Sequence, residues 1–235
     1  MAATAPTIHV DIWSDVVCPW CYIGKRRFER AVDELAGEVD IEYVFRAFQL
    51  DPTASMGKSQ PVAEAYAKKF GGPDRAQAII ERVTAVAADE GLEFRLDRAL
   101  RANTLLAHRL LWLAEQPDSP APQPAVKERL LQAYFHDGLD IGDPDVLAAC
   151  AAEVGFVRDD VLAFLESDAG MAEVRADIER AIDYGISGVP AFVIDDRWSI
   201  PGAQDTDTFV NVFRRLKDRI TVEAGPACDD DICDV

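Results

Sequence analysis

Apolar and polar residues alternate through Ile8-His9-Val10-Asp11-Ile12 and into Trp13, the period-two pattern of a strand with a buried face. From residue 22 to residue 35 the spacing becomes that of an amphipathic helix, and residues 41–48 return to a strand pattern. A loop is expected over 51–61, and strand character then stops until about Ala191. The intervening Ala- and Leu-rich chain has helical periodicity over 74–90, 97–115, 124–136, 144–154, 159–166 and 171–184. End signals support these helices. Asp143 is a good N-cap before Pro144, Gly155 suits a C-terminus, and the Pro-rich stretch 117–122 separates two helices. Strand pattern resumes at 190–194, turns at Asp195-Asp196, returns at 197–200, and leads to a last amphipathic helix at 205–219.

This order, βαβ, then helices, then ββα, predicts an α/β protein. Its expected architecture is a thioredoxin-like fold with a large all-helical domain inserted between the βαβ and ββα halves. The boundaries fall at 1–52 and 185–220 for the thioredoxin-like domain and 53–184 for the helical insert. Residues 221–235 form an acidic C-terminal tail that carries a C-x4-C pair.

Chemistry enters where the first strand meets the first helix, at Cys18-Pro19-Trp20-Cys21. A cysteine at a helix N-terminus faces unpaired N–H groups and the positive end of the helix dipole, both of which favour a thiolate. Cys18 is therefore the expected nucleophile. Cys21, one turn further in, is close enough to close a disulfide with it and is the natural resolving thiol. Trp20 is read as part of an apolar substrate surface, whereas Trp13, Trp112 and Trp198 are read as core.

Length and charge limit the alternatives. A chain of 235 residues, 49% hydrophobic and 28% charged, builds its own core without disulfides. A formal charge of −18 opposes sequence-independent binding to nucleic acid or anionic membranes, since both require Lys and Arg to neutralise negative charge. Residues 1–7 have neither a basic start nor an apolar stretch, and no segment has the roughly 18 apolar residues of a membrane span. The expectation is a cytoplasmic protein, where a close cysteine pair is redox-active or metal-binding rather than structural.

Three separated segments carry a family resemblance. Cys18-Pro19-Trp20-Cys21-Tyr22-Ile23-Gly24-Lys25, the stretch from Tyr134 to Asp143, and Gly185-Ile186-Ser187-Gly188-Val189-Pro190-Ala191-Phe192 together resemble the FrnE-type branch of the DsbA family, as does Gly202-Ala203-Gln204. The resemblance spans about residues 8–219. It implies a thiol:disulfide oxidoreductase with Cys18 attacking and Cys21 resolving, and no cofactor beyond this redox-active pair. Pro190 would be a cis-proline facing the dithiol, beside backbone groups that pair with an extended substrate. Pro19, Trp20, Val189 and Gln204 would contact substrate, and Asn103 and His108 would face the dithiol from the helical side. Disulfide-containing or misoxidised proteins are the implied substrates. Glutathione or another thiol is the implied electron donor, with no nucleic-acid or membrane partner and a monomer or homodimer as the state. Trp20 replaces the His of strongly oxidising DsbA proteins, so a less depressed Cys18 and a less oxidising pair are expected, favouring reduction or isomerisation.

Other candidates are weaker. Cys228 and Cys233 form an auxiliary dithiol that exchanges with the first pair through a flexible tether, or else incidental thiols of a terminus, or, least favoured, a metal site. Cys150 lies on an apolar helix and reads as inert. His108 reads first as a hydrogen-bonded histidine of the core or pocket wall, and His9 and His136 as structural; no metal site is expected. Two other functional classes compete. One is a glutathione-dependent isomerase or transferase like the kappa-class enzymes and hydroxychromene-carboxylate isomerases, which have serine where this chain has Cys18. The other is a non-catalytic module that holds unfolded peptides or metal.

Overall fold

Residues 5–223 are described by the computed structural model. The chain begins with β1 (Thr7–Ser14), α1 (Pro19–Glu34) and β2 (Asp40–Ala47). It continues with β3 (Gln60–Pro61), α2 (Val62–Phe70), α3 (Pro73–Asp89), β4 (Leu100–Arg101), α4 (Leu105–Glu115) and α5 (Gln123–Gln132). A π-helical turn (Ala133–Asp137) extends α5, and α6 (Pro144–Glu153), α7 (Arg158–Glu166) and α8 (Met171–Asp183) follow. The chain returns to the sheet as β5 (Ala191–Ile194) and β6 (Trp198–Pro201), and α9 (Thr206–Glu223) ends it. The architecture is the expected thioredoxin core with a helical insert between its two halves.

The four-stranded sheet has the order β2-β1-β5-β6, with β2 parallel to β1 and the other two pairings antiparallel. A parallel neighbour needs a crossover, which α1 supplies. Ile8, Val10 and Ile12 face one side and pack with Phe28 and Ala31 of α1, Leu35 at its C-cap, and Phe209 and Phe213 of α9. Trp13 faces the other side, buried with Ala181 of α8, its indole N–H donating to the Asp177 carbonyl at 2.9 Å. Helix α1 is covered on both sides, because Tyr22 and Ile23 belong to the core of the insert. The β5–β6 turn works with two aspartates because Asp195 and Asp196 take φ of 47° and 56°, left-handed values that Asp tolerates better than most residues.

Strand direction fixes the ends of the molecule. Because β6 runs parallel to β1, α1 and α9 start at the same edge of the sheet and run the same way. Thr206 Oγ1 donates to the Arg27 carbonyl at 3.2 Å, and eight residues on Arg214 pairs with Glu38 at 2.9 Å. Helix α9 therefore ends at the pole opposite the Cys18 turn.

Two elements differ from expectation. Helix α2 occupies residues 62–70, which the periodicity left unassigned, and residues 97–104 are not helical. The latter instead form a turn and β4, which pairs with β3, so strand character does return before residue 191. Side chains override the periodicity there. Arg101 pairs with Asp51 at 2.6 Å, the Val62 N–H reaches the Ala99 carbonyl at 2.9 Å, and Asn103 Oδ1 accepts the Leu105 N–H at 3.0 Å and so starts α4 late.

Candidate active site

Cys18 is the N-cap of α1, with extended backbone (φ −88°, ψ 114°), and Pro19 occupies the first helical position, where a missing N–H costs nothing. No side chain caps this end. The Cys18 carbonyl accepts the N–H groups of Cys21 and Tyr22 at 3.0 and 3.3 Å, which places the second cysteine one turn above the first. Both are free thiols, each 3% exposed.

The Val189–Pro190 peptide is cis, and the Cys18 Sγ donates to the Val189 carbonyl at 3.5 Å. Gly24 permits this approach. A Cβ there would lie 2.9 Å from the Pro190 ring and 3.3 Å from Ala203 Cβ, so α1 rests directly on the Pro190 and Ala203 loops. The Gly202 N–H donates to the Pro190 carbonyl at 2.8 Å and ties these loops together.

Electrostatics at the first cysteine differ from the helix-terminus expectation. The neighbouring Cys21, burial, and the more distant Asp15 carboxylate push the Cys18 thiol well above its ordinary value, and the Cys21 N–H offsets only part of this. Asp15 is fully buried, its Oδ2 accepting the Leu50 N–H at 2.8 Å and its Oδ1 lying 3.2 Å from His108 Nε2. His108 Nε2 also lies 3.0 Å from the Phe48 carbonyl, an acceptor only, so this nitrogen carries the proton.

A cavity of about 710 Å³ opens beside Cys18, Pro19, Trp20 and Val189. Its opposite wall is apolar, built from Val62, Tyr66 and Phe70 of α2 with Ile79 and Val83 of α3, and Lys68 and Lys69 stand on it. Periodicity missed this wall because it missed α2. Asn103 and His108 do not line the cavity. Asn103 is spent on the Ala54 carbonyl and the Leu105 N–H, and His108 on Asp15, so both hold the scaffold behind the site. Gln204 also lies off the cavity, its amide donating to the Pro201 carbonyl at 2.7 Å. Cys228 and Cys233 lie outside the described residues.

One charged side chain near the pair escaped the sequence reading. Lys127 of α5 is 1% exposed, with its ammonium nitrogen 5.3 Å from the centre of the Phe45 ring. With Ser14 Oγ, its Nζ is one of two buried side-chain polar atoms that lack a hydrogen-bond partner among the described residues. Burial pushes this lysine down to about 8, although Cys21, Asp15 and Cys18 pull it upward. Lys127 shares one helical face with Gln123, Leu130 and Leu131, and the fold buries all four. No group of three or more His, Cys, Asp or Glu arranged to hold a metal exists among the described residues.

Comparison with known proteins agrees with this geometry. Residues 9–214 match the DSBA-like thioredoxin domain. Protein YwbO of Bacillus subtilis, itself uncharacterized, is 29% identical over 205 residues, covering 86% of this chain and 94% of its own. The crystal structure of a probable DsbA oxidoreductase from Streptomyces coelicolor superposes with a TM-score of 0.82 at 34% identity, over 97% of this chain and 99% of that one. The cytosolic disulfide reductase DsbM of Pseudomonas aeruginosa shares the fold at 18% identity (TM-score 0.55; 92% and 98% covered), and another structure of it is with GSH. The chain belongs to the family of DsbA-like thioredoxin domains and is a thiol:disulfide oxidoreductase that works through a cysteine pair.

Proposed function

We propose that this protein is a cytoplasmic disulfide reductase or isomerase of the FrnE type, with Cys18 as the attacking and Cys21 as the resolving thiol. The Cys18 thiolate attacks one sulfur of a substrate disulfide and the other sulfur leaves as a thiol. Cys21 then attacks Cys18, releases the second substrate sulfur and leaves the Cys18–Cys21 disulfide. An external thiol, glutathione or another, returns the pair to the dithiol. Val189 and Pro190 border the attacking sulfur, and Trp20 with the α2 wall receives apolar side chains of misoxidised proteins.

The observation that carries the direction of flow is the burial of both sulfurs, each 3% exposed, at a helix end that no side chain caps and with Trp20 where strongly oxidising DsbA proteins have His. A stabilised thiolate favours the reduced form and makes a pair oxidising, whereas here the thiolate is disfavoured and the dithiol gives up its electrons. The cytosolic reductase DsbM, alike in fold, supports the same compartment and direction. The glutathione-dependent isomerase or transferase reading is less favoured, because those enzymes have serine where this chain has Cys18.

Cys228 and Cys233, two of the five cysteines and both within the last eight residues, are assigned as an auxiliary dithiol that exchanges with the Cys18–Cys21 pair of the same chain.

The test is a trapping experiment. Cys18→Ser is expected to abolish reduction of insulin, and Cys21→Ser to accumulate mixed disulfides that mass spectrometry identifies, including tail-to-site disulfides within one chain. Wild-type turnover by Cys18→Ser would end the assignment, and equal turnover with the tail cysteines replaced, together with no trapped tail-to-site disulfide, would remove the tail from it.

A further inference from the structure

Lys127 is held in place from two sides. One turn before it, Gln123 Oε1 accepts the Phe45 N–H at 2.7 Å and Gln123 Nε2 donates to the Phe45 carbonyl at 3.0 Å, fixing α5 on β2. The next residue, Glu128, accepts the Tyr22 hydroxyl at 2.6 Å and Lys25 Nζ at 2.7 Å and pairs with Arg26, fixing α5 on the first turns of α1. Between these anchors Lys127 enters the interior with an amine that nothing satisfies. An unpaired buried amine costs stability, and an apolar residue of similar length would remove that cost. The groups whose fields reach it are Cys21, Asp15 and Cys18, which favour its charged form, and Lys25, which opposes it; from β2 the Phe45 ring faces the amine.

We propose that Lys127 is the positioning residue of the resolving step, a buried amine behind the dithiol that is charged while Cys21 is ionised and neutral once the disulfide has closed. This rests on Cys21 resolving a Cys18 mixed disulfide. As Cys21 loses its proton Lys127 gains one, so no net charge is created in the interior. The Cys21 electron pair forms the bond to Cys18 Sγ while the Cys18–substrate bond breaks, its pair leaving on the substrate sulfur. With no thiolate left beside it Lys127 gives up its proton, and the leaving sulfur takes one up. An amine held near 8 by burial is suited to changing state near neutral pH.

The reduced protein reacted with 5,5′-dithiobis(2-nitrobenzoate) separates the two steps. The first nitrothiobenzoate is released by attack of Cys18 and the second by resolution through Cys21. Lys127→Met, an apolar near-isostere, is expected to leave the first phase within twofold of wild type, to slow the second about tenfold at pH 7, one unit of ionisation, and to hold or raise Tm. Lys127→Arg, always charged, is expected to retain a fast second phase with a flatter pH profile. An unchanged second phase in a folded Lys127→Met protein would overturn the proposal, as would equal slowing of both phases with a fallen Tm, the mark of a purely structural lysine. Absence of a second phase in the wild type would instead overturn the resolving role of Cys21.

Discussion

At the scale of the residue, opposing effects meet on Cys18. The helix terminus favours its thiolate, whereas Cys21, burial and Asp15 oppose it, and the opposing set prevails. The thiolate fraction of a thiol held above the ordinary value of about 8.5 still climbs throughout the neutral range. Alkylation of Cys18 by iodoacetamide is therefore expected to rise about tenfold per pH unit from pH 6 to 9 without levelling. A plateau beginning near pH 7 would show that the helix terminus wins. The same shift acts on stability: the unfolded thiol ionises first, so the Cys18 contribution is lost as pH rises past about 8.5. Cys18 and Cys21 were legible in the sequence because their spacing at a strand-to-helix junction places them, and Pro190 because the family resemblance puts it opposite them. Lys127 was not, because a lysine inside a helix is usually read as solvated and only tertiary packing decides otherwise. Asn103 and His108 were legible as candidates, but their partners, Ala54, Leu105 and Asp15, are set by loops that no periodicity describes.

Elements were legible in proportion to the length of their pattern. The sheet strands and the long helices α1, α3, α8 and α9 announce themselves because one buried face repeats over several turns. Helix α2 has nine residues between Pro61 and the Gly71-Gly72 pair, and its apolar Val62, Ala65, Tyr66 and Phe70 span barely two turns. Residues 97–104 show the converse, a helical pattern cancelled by the Arg101–Asp51 pair and by Asn103. The missed helix matters because it forms the wall opposite Cys18. Tyr66 stands in that wall, its hydroxyl pushed up to about 12 by burial and by the nearby Cys18. Replacing Tyr66 with Ala removes an aromatic surface worth about 1–3 kcal/mol when an apolar group packs on it. KM for a peptide disulfide with apolar flanking residues is expected to rise about tenfold, with kcat within twofold. A fall in kcat at constant KM would place Tyr66 in the chemistry rather than in binding.

The whole molecule joins a thioredoxin core, which carries the dithiol, to a helical insert, which supplies the facing wall of the cavity. On a protein of net charge −18, Lys68 and Lys69 put positive charge in the cavity wall across from Cys18. No helix among the described residues is long and apolar enough to cross a membrane. Because β1 and β6 deliver α1 and α9 at one edge of the sheet, the dithiol and the end of α9 lie at opposite poles, a consequence of topology that no local motif in the sequence reveals. Every feature at the dithiol, from the burial of both sulfurs to Trp20 between them, bears on one quantity, the equilibrium between dithiol and disulfide. The reduction potential of the Cys18–Cys21 pair, titrated in glutathione buffers at pH 7, measures it directly. A reductase or isomerase is expected at about −180 mV or lower, the range from protein disulfide isomerase to thioredoxin, and a value near −120 mV, that of a strong DsbA oxidant, would contradict the assigned direction.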